Sequence, residues 1–283
     1  MRLILALALA LTVAAVGVAN AEDGVNARTA YVERRGLIEA DAQCRLLPAS
    51  TRGALEVGAM QARGSLLRAG WTSAQARELE TTVVSAARAR PCTDERTAVA
   101  AAQARASFGQ WANAGTMQFP GWQRAWVARR ANEGWRLRQD VDTLNRATFG
   151  VRQVRNGAQS LVLTLALARG EAAPASASLA LRDVSRARAP EISLTQRIAS
   201  GLAAGLPTPS ASRSVPSTRT LERGDNGGQL AVFAFPDSAF ASLVTLDPRE
   251  SVELRVQRGR TMQTLLVEVG DIAAARAFLT LQR

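Results

Sequence analysis

The chain has 283 residues, of which 47% are hydrophobic, and a formal net charge of +11. All 35 basic residues are arginine, so the sequence contains neither lysine nor histidine. The lack of histidine excludes Ser-His-Asp and Cys-His nucleophilic sites, histidine-based zinc sites and histidine-ligated haem. The lack of lysine excludes P-loops, Ser-Lys dyads and Schiff-base chemistry. Chemistry by carboxylates or by a lone thiolate is left, and we expect no cofactor and no metal site.

The first 21 residues have the pattern of a secretory signal peptide. A short positive start precedes an apolar run over residues 3–18, and residues 19–21 form an A-x-A cleavage site. We expect cleavage between Ala21 and Glu22, which would deliver the chain to the periplasm or out of the cell. No second long apolar run follows, so we do not expect the cleaved chain to span a membrane.

The positive charge is distributed along the whole sequence. Acidic residues are interspersed among the arginines, and no run of arginine exceeds two. This pattern favours a mixed, solvated surface over one dedicated anion-binding face. An anionic partner, such as lipid headgroups or lipopolysaccharide, stays an alternative. We expect no nucleic-acid partner, because the sequence carries no nucleic-acid-binding motif.

Residues 26–114 have the periodicity of four consecutive amphipathic helices. The apolar stripes are Leu37, Ala40, Cys44 and Leu47, then Leu55, Ala59, Ala62 and Leu66, then Ala76, Leu79, Val83 and Ala86. Thr72 and Gln75 predict a capping box for the third helix, and Thr93 predicts the cap of the fourth. Connections this short indicate antiparallel neighbours. We assign residues 22–147 to a helical bundle domain.

Cys44 and Cys92 are the only two cysteines. The first lies near the end of the first predicted helix and the second at the start of the fourth. Two helices of similar length separate them, so both cysteines should lie at the same end of the bundle. In an oxidising compartment we expect a disulfide between them. The alternative is a reactive Cys92 thiolate, whose pKa the helix N-terminus would lower.

From residue 148 onward the pattern changes to short strands with few helices. The predicted elements are a hairpin around Asn156-Gly157, a strand over 176–184, a short helix over 195–206, a Pro/Ser/Thr-rich loop over 207–218, a strand over 229–235, a helix capped by Asp237, a hairpin over 251–269 and a helix from Gly270-Asp271. The fold class is therefore α+β, with an N-terminal antiparallel helical bundle before an antiparallel-strand-rich α+β domain over residues 148–283.

The C-terminal segment 236-PDSAFASLVTLDPRESVELRVQRGRTMQTLLVEVGDIAAARAFLTL-281 contains a short helix, a two-stranded hairpin and a closing helix that starts at a glycine. Over residues 229–281 the chain resembles the C-terminal module of secreted bacterial proteins of the invasion-associated locus B type. The resemblance implies an envelope-associated protein without enzymatic activity. It does not extend to the helical half.

Residues 108–135 concentrate aromatic and arginine side chains. The candidate ligand or partner surface consists of Trp111, Phe119, Trp122, Arg124, Trp126, Arg129, Arg130 and Trp135. In a helix, Trp122 and Trp126 would be one turn apart. Aromatic faces beside arginine can stack on sugars or cations, and they also suit a membrane interface. The alternative is that these tryptophans pack the helical half against the strand-rich half.

Glu133 is the only acidic residue in this aromatic segment. Apolar neighbours that raise its pKa would let it act as the proton donor of a glycan-cleaving enzyme. We expect instead a non-enzymatic envelope protein that acts as a binding or assembly module for an envelope protein or a cell-surface polymer. The alternatives are a glycan-acting enzyme that uses Glu133, and a protein that associates with anionic lipid or lipopolysaccharide.

Overall fold

A computed structural model describes residues 21–142, 146–153, 157–190, 192, 194–224 and 227–281. The predicted signal peptide lies outside these ranges, except for Ala21. Helices occupy the first part of the described chain and antiparallel strands dominate the rest. The predicted α+β class is confirmed.

The four N-terminal helices are α1 (Ala21–Cys44), α2 (Ala49–Arg68), α3 (Ser73–Arg88) and α4 (Glu95–Asn113). Helix α2 packs between α1 and α4, and α1 also contacts α3. The predicted capping box of Thr72 and Gln75 is present. The predicted cap at Thr93 is wrong: Asp94 caps α4, because its carboxylate accepts hydrogen bonds from the backbone N–H and the hydroxyl of Thr97 at 3.2 and 2.7 Å.

Cys44 and Cys92 form a disulfide with their Cα atoms 5.5 Å apart. The prediction from helix lengths is confirmed. Since both sulfur atoms are bonded to each other, neither is a free thiolate. The bond joins the end of α1 to the loop before α4 and closes one end of the bundle.

The strands form two antiparallel sheets. They are β1 (Thr116–Pro120), β2 (Ala125–Arg129), β3 (Gly134–Asp140), β4 (Ala147–Gln153), β5 (Gln159–Ala166), β6 (Ser176–Arg182), β7 (Ser212–Pro216), β8 (Thr218–Arg223), β9 (Gln229–Phe235), β10 (Ser251–Arg258) and β11 (Thr261–Glu268). One sheet has the order β1-β2-β3-β4-β5-β9-β8, and the other has the order β11-β10-β6-β7. Their inner faces share one hydrophobic core.

Three short helices complete the strand-rich part: α5 (Leu194–Ser200), α6 (Asp237–Leu243) and α7 (Ile272–Thr280), with 3-10 turns at 201–205 and 209–211. The predicted hairpin over 251–269 is present as β10 and β11. The hairpin of β4 and β5 is also present, although Asn156 of its predicted turn lies outside the described residues. The predicted loop over 207–218 contains an unpredicted edge strand, β7, which pairs with β6.

The N-terminal helices end at Asn113, close to the predicted limit of residue 114, but residues 115–147 of the predicted helical bundle domain contain no helix among those that the structure describes. Strands β1, β2 and β3 follow instead, and Trp122 and Trp126 are not one helical turn apart. Trp122 lies in the β1–β2 turn and Trp126 lies in β2, whose side chains alternate between more and less buried positions. The division into two domains at residue 147 stays a prediction.

Glycine allows β3 and β4 to approach closely. Gly150 has φ = 154°, and a side chain there would overlap the backbone of Leu137 and Arg138. The register of the two strands shifts at the same place, between Trp135 and Leu137. The close approach and the register shift therefore occur at the same point of the β3–β4 pair.

The helical part and the sheets meet along α2 and α7. Helix α7 packs on β1, β2 and β3 on one side and against α2 on another. Gly64 of α2 has no side chain where Asp271, at the start of α7, approaches it. This contact sets the position of the bundle against the β1–β2 turn, where a groove opens.

Candidate binding groove

A groove of about 700 Å³ lies between α1, α2, the end of α4 and the β1–β2 turn. It is lined by Asn26, Ala27, Ala30 and Arg34 of α1, by Gln61, Ala62, Ser65, Arg68 and the adjoining Ala69 of α2, by Trp111, and by Pro120, Gly121 and Trp122. Alanines from both helices form its floor. Within the described part of the chain, this lining contains two arginines and no carboxylate.

One end of the groove holds Arg34 beside an aromatic pair. The Arg34 guanidinium carbon lies 5.5 Å from the centre of the Phe108 ring, and that ring makes an edge contact with Trp111 at 5.2 Å. Arg34 Nη1 donates a hydrogen bond to the carbonyl of Gly58 at 2.7 Å. Burial lowers the pKa of Arg34, but an arginine is still charged at neutral pH. It makes no ion pair with any residue that the structure describes.

The other end holds Arg68 beside Trp122. Arg68 donates two hydrogen bonds to the Asp271 carboxylate, at 2.6 and 2.9 Å, and a third to Ser65 Oγ at 3.2 Å. Burial raises the pKa of Asp271, and the Arg68 charge opposes that shift. The backbone N–H of Asp271 donates to the carbonyl of Pro120 at 3.1 Å. Arg68 is therefore neutralised, and its pair with Asp271 anchors the turn that carries Trp122.

Glu268, at the end of β11, fixes the conformation of the β1–β2 turn. Its carboxylate accepts hydrogen bonds from the backbone N–H groups of Trp122, Gln123 and Arg124, the last two at 2.9 Å. Arg197 of α5 donates to the same carboxylate at 2.9 Å, and its guanidinium carbon lies 5.5 Å from the Trp122 ring. Three backbone bonds and a buried counter-ion hold this tryptophan in place before any ligand arrives.

The two ends are about 12 Å apart, because eight residues of α1 separate Asn26 from Arg34 at 1.5 Å per residue. The antiparallel packing of α1 and α2 sets their order. Arg34 bonds to Gly58, whereas Gly24 lies opposite Ala69. The groove therefore runs from Arg34, beside Gly58, to Arg68, next to Ala69.

The predicted aromatic surface is divided between the groove and the core. Trp111 and Trp122 are half-buried and line the groove. Phe119 and Trp126 are fully buried in the core between the sheets. The indole N–H of Trp126 donates to the carbonyls of Glu268 and Val269, so this side chain is satisfied inside the protein.

The remaining predicted surface residues lie outside the groove. Arg124 donates to the carbonyl of Leu266, and Arg130 donates to the carbonyls of Ala112 and Phe278. Trp135 is half-buried on β3, with the Arg152 guanidinium carbon 5.7 Å from its ring centre. Arg129 is exposed at the end of β2. Arg124 thereby links the β1–β2 turn to β11, and Arg130 links the end of β2 to α4 and α7.

Glu133 lies exposed in the turn between β2 and β3 and does not line the groove. It lacks the apolar surroundings that the proton-donor hypothesis requires. The groove residues that sequence reasoning missed are Asn26, Arg34, Gln61, Ser65 and Arg68. Their signal is faint: small and polar residues recur once per turn along one face of α1 and of α2.

Comparison of the chain with protein-family models, curated proteins and solved structures found no significant match. None of the helices in the described ranges is both long and apolar enough to cross a bilayer. Over the same ranges, no three residues among Asp, Glu and Cys cluster as a metal site would require.

Proposed function

We propose that this chain is a non-catalytic binding module of an exported envelope protein, and that the groove between α1, α2 and the β1–β2 turn is its binding site. One observation carries the proposal. Two half-buried tryptophans, Trp111 and Trp122, line the groove together with Arg34 and Arg68. Tryptophan and arginine dominate the energetics of binding surfaces, since both offer a large apolar face together with hydrogen-bond donors.

Preorganisation supports the same function. The turn that carries Trp122 is fixed by bonds to Glu268, and Arg197 packs over the Trp122 ring. A side chain that is ordered in the free protein loses little conformational entropy when a ligand binds. The buried Glu268 carboxylate therefore has a role in this function, because it keeps the turn that carries Trp122 in one conformation.

Two features support a periplasmic or extracellular location. Disulfides such as that between Cys44 and Cys92 persist in oxidising compartments, and the first 21 residues have the pattern that predicts a signal peptide. The C-terminal resemblance to invasion-associated locus B proteins points to the same compartment. Either an envelope protein or a cell-surface polymer would meet the groove there.

Cosedimentation with isolated insoluble cell-wall polymer tests the proposal. We expect wild-type protein to sediment with the polymer and Ala30→Leu to stay in solution, because a larger side chain fills the floor of the groove. Trp135→Ala is the matched control, since it removes a half-buried tryptophan outside the groove. Thermal melting establishes that each variant is folded. Equal sedimentation of wild type and Ala30→Leu contradicts the proposal.

The enzyme alternative is tested in the same material. We expect wild-type protein and Glu133→Gln to release no soluble fragments during prolonged incubation with the polymer. Fragment release by wild type that Glu133→Gln abolishes contradicts the non-catalytic assignment.

A further inference from the structure

The charge of the groove narrows the class of its ligand. Arg68 is neutralised by Asp271, but Arg34 has no ion-pair partner among the described residues. Its charge is half-buried, with the Gly58 carbonyl as hydrogen-bond acceptor and the face of Phe108 beside it, while the exposed Glu33 attracts it without forming an ion pair. Holding a charge away from water without a counter-ion is costly. An anionic group placed at this end would lower that cost, so the groove favours an anion over a neutral or cationic ligand.

The uncharged lining favours hydroxyl-rich rings. Asn26, Gln61 and Ser65 are the uncharged polar residues of the groove lining. Amides and hydroxyls both donate and accept hydrogen bonds, which matches the mixed bonding of sugar hydroxyls. Trp111 and Trp122 add flat apolar faces on which sugar rings stack. The alternation of aromatic faces with amide and hydroxyl groups suits a sugar chain better than an apolar ligand.

The shape of the groove favours a linear chain over a membrane surface as its ligand. Ala27 of α1 and Ala62 of α2 are buried and line the groove between these two helices, so they form its floor. A flat bilayer surface reaches the rim of such a groove but not its floor. A sugar chain that is one ring wide fits between the helices and spans the distance of about 12 Å from the Arg68 end to the Arg34 end.

We propose that the groove binds an acidic oligosaccharide, with sugar rings stacked on Trp111 and Trp122 and a sugar carboxylate bound by the guanidinium of Arg34. This inference rests on the proposed binding function and names the chemical class of its ligand. Arg34 acts as the anion-binding residue, whereas Arg68 and Arg197 position the surface on which the second ring stacks.

Isothermal titration calorimetry with defined probes tests the ligand class. The probes are a hexamer of galacturonic acid, maltohexaose as the neutral sugar, hexaglutamate as the acidic peptide, and phosphatidylglycerol vesicles. We expect the galacturonate hexamer to bind more tightly than the other three, with an affinity that falls as salt is added. Equal or tighter binding of maltohexaose, hexaglutamate or the vesicles overturns the assignment.

Substitutions then locate the binding site. We expect Arg34→Gln to weaken galacturonate binding by about tenfold, which is the size of one charge-assisted hydrogen bond. Arg34→Lys keeps the charge and should recover part of the affinity. Trp111→Ala and Trp122→Ala should each weaken binding, whereas Trp135→Ala should not. Galacturonate binding that is unchanged in Arg34→Gln and in both groove tryptophan variants overturns the site.

Failure of this inference is distinguishable from failure of the proposed function. If galacturonate does not bind while Ala30→Leu still abolishes sedimentation with cell-wall polymer, the ligand class is wrong and the groove remains the binding site. If neither galacturonate binding nor groove-dependent sedimentation is observed, both proposals fail.

Discussion

Arg197 and Glu268 form an ion pair in which both side chains are almost completely buried, with 2.9 Å between Arg197 Nη2 and Glu268 Oε1. Glu268 also accepts three backbone hydrogen bonds from the β1–β2 turn. Two further nitrogens of Arg197, Nε and Nη1, are buried without a hydrogen-bond partner among the described residues. The pair therefore connects α5, β11 and the turn that carries Trp122, at a high cost in desolvation.

Removing either partner of this pair should destabilise the protein strongly. We expect Glu268→Gln or Arg197→Met to lower the free energy of unfolding by about 3–5 kcal/mol, because each leaves the other charge buried and unpaired. The double variant should lose less than the sum of the two. Urea unfolding of the four proteins measures both effects.

Arg255→Met is the matched control for this experiment. Arg255 pairs with Glu253 on the exposed part of β10, where an ion pair contributes less than about 1 kcal/mol. Losses of similar size in Arg197→Met and Arg255→Met would contradict the structural role of the buried pair.

Two helical glycines should respond to alanine with opposite signs. A side chain at Gly64 of α2 would overlap the Asp271 carboxylate, whereas a side chain at Gly109 of α4 meets nothing within 4 Å. We expect Gly64→Ala to cost on the order of 2–4 kcal/mol by disturbing the Arg68–Asp271 pair. Gly109→Ala should stabilise by about 0.5–1 kcal/mol, because alanine favours the helix. Thermal or urea unfolding gives both values, and a stabilising Gly64→Ala would rule out the close packing of α2 on Asp271.

The disulfide should contribute a large share of the stability of the helical bundle. Its cysteines are 48 residues apart, and closing a loop of that length stabilises by about 4 kcal/mol in the chain-entropy model. We expect the double variant Cys44→Ala/Cys92→Ala to unfold at correspondingly lower urea concentration. When the wild-type protein is unfolded without a reducing agent, a thiol-alkylating reagent should add no label. Labelling of two thiols would show that the disulfide is absent.

Tyr31 should make stability depend on alkaline pH. It is the only tyrosine in the chain, and burial, together with the charge and hydrogen bond of Glu80, raises its pKa to about 12. In the unfolded chain the phenol has the ordinary tyrosine pKa of about 10, which is below its pKa in the folded protein. The native state therefore keeps a proton that the unfolded state has lost, so stability is constant below this window and falls as pH rises through it.

Ultraviolet absorbance of tyrosinate follows this single group directly. We expect its midpoint near pH 12 in the folded protein and near the ordinary value for tyrosine, about pH 10, in urea. Tyr31→Phe should remove both the absorbance change and its share of the alkaline loss of stability. A midpoint near pH 10 in folded protein would contradict the buried position of this side chain.

The helical bundle could be predicted from sequence because its signals are local. Apolar stripes recur at spacings of three and four, and Pro48, Gly70 and Pro91 interrupt them between helices. The disulfide was predicted from the helix lengths together with the oxidising compartment that the signal-peptide pattern indicates. Strands β1–β3 were missed because their tryptophans and arginines also fit helical spacing, and because the alternating burial of β2 depends on a sheet that the sequence does not reveal.

The groove could not be predicted because its parts meet only through tertiary packing. Arg34 and Arg68 lie on different helices, and Asp271, which neutralises Arg68, is 203 residues further along the chain. Sequence patterns predict which face of a helix is apolar, but they do not show which distant carboxylate will approach a given arginine. Trp111 and Trp122 were found as candidates, yet their separation from the core residues Phe119 and Trp126 required the sheet register.

The bond between Arg68 and Asp271 also has a consequence for biogenesis. Translation makes α1 and α2 long before Glu268 and Asp271, whose side chains hold the β1–β2 turn against the groove. A nascent chain that ends after α4 would already present Arg34 but would not yet contain Trp122. The groove is therefore complete only once α7 has been made, and fragments truncated before α7 should bind ligand poorly compared with the intact chain.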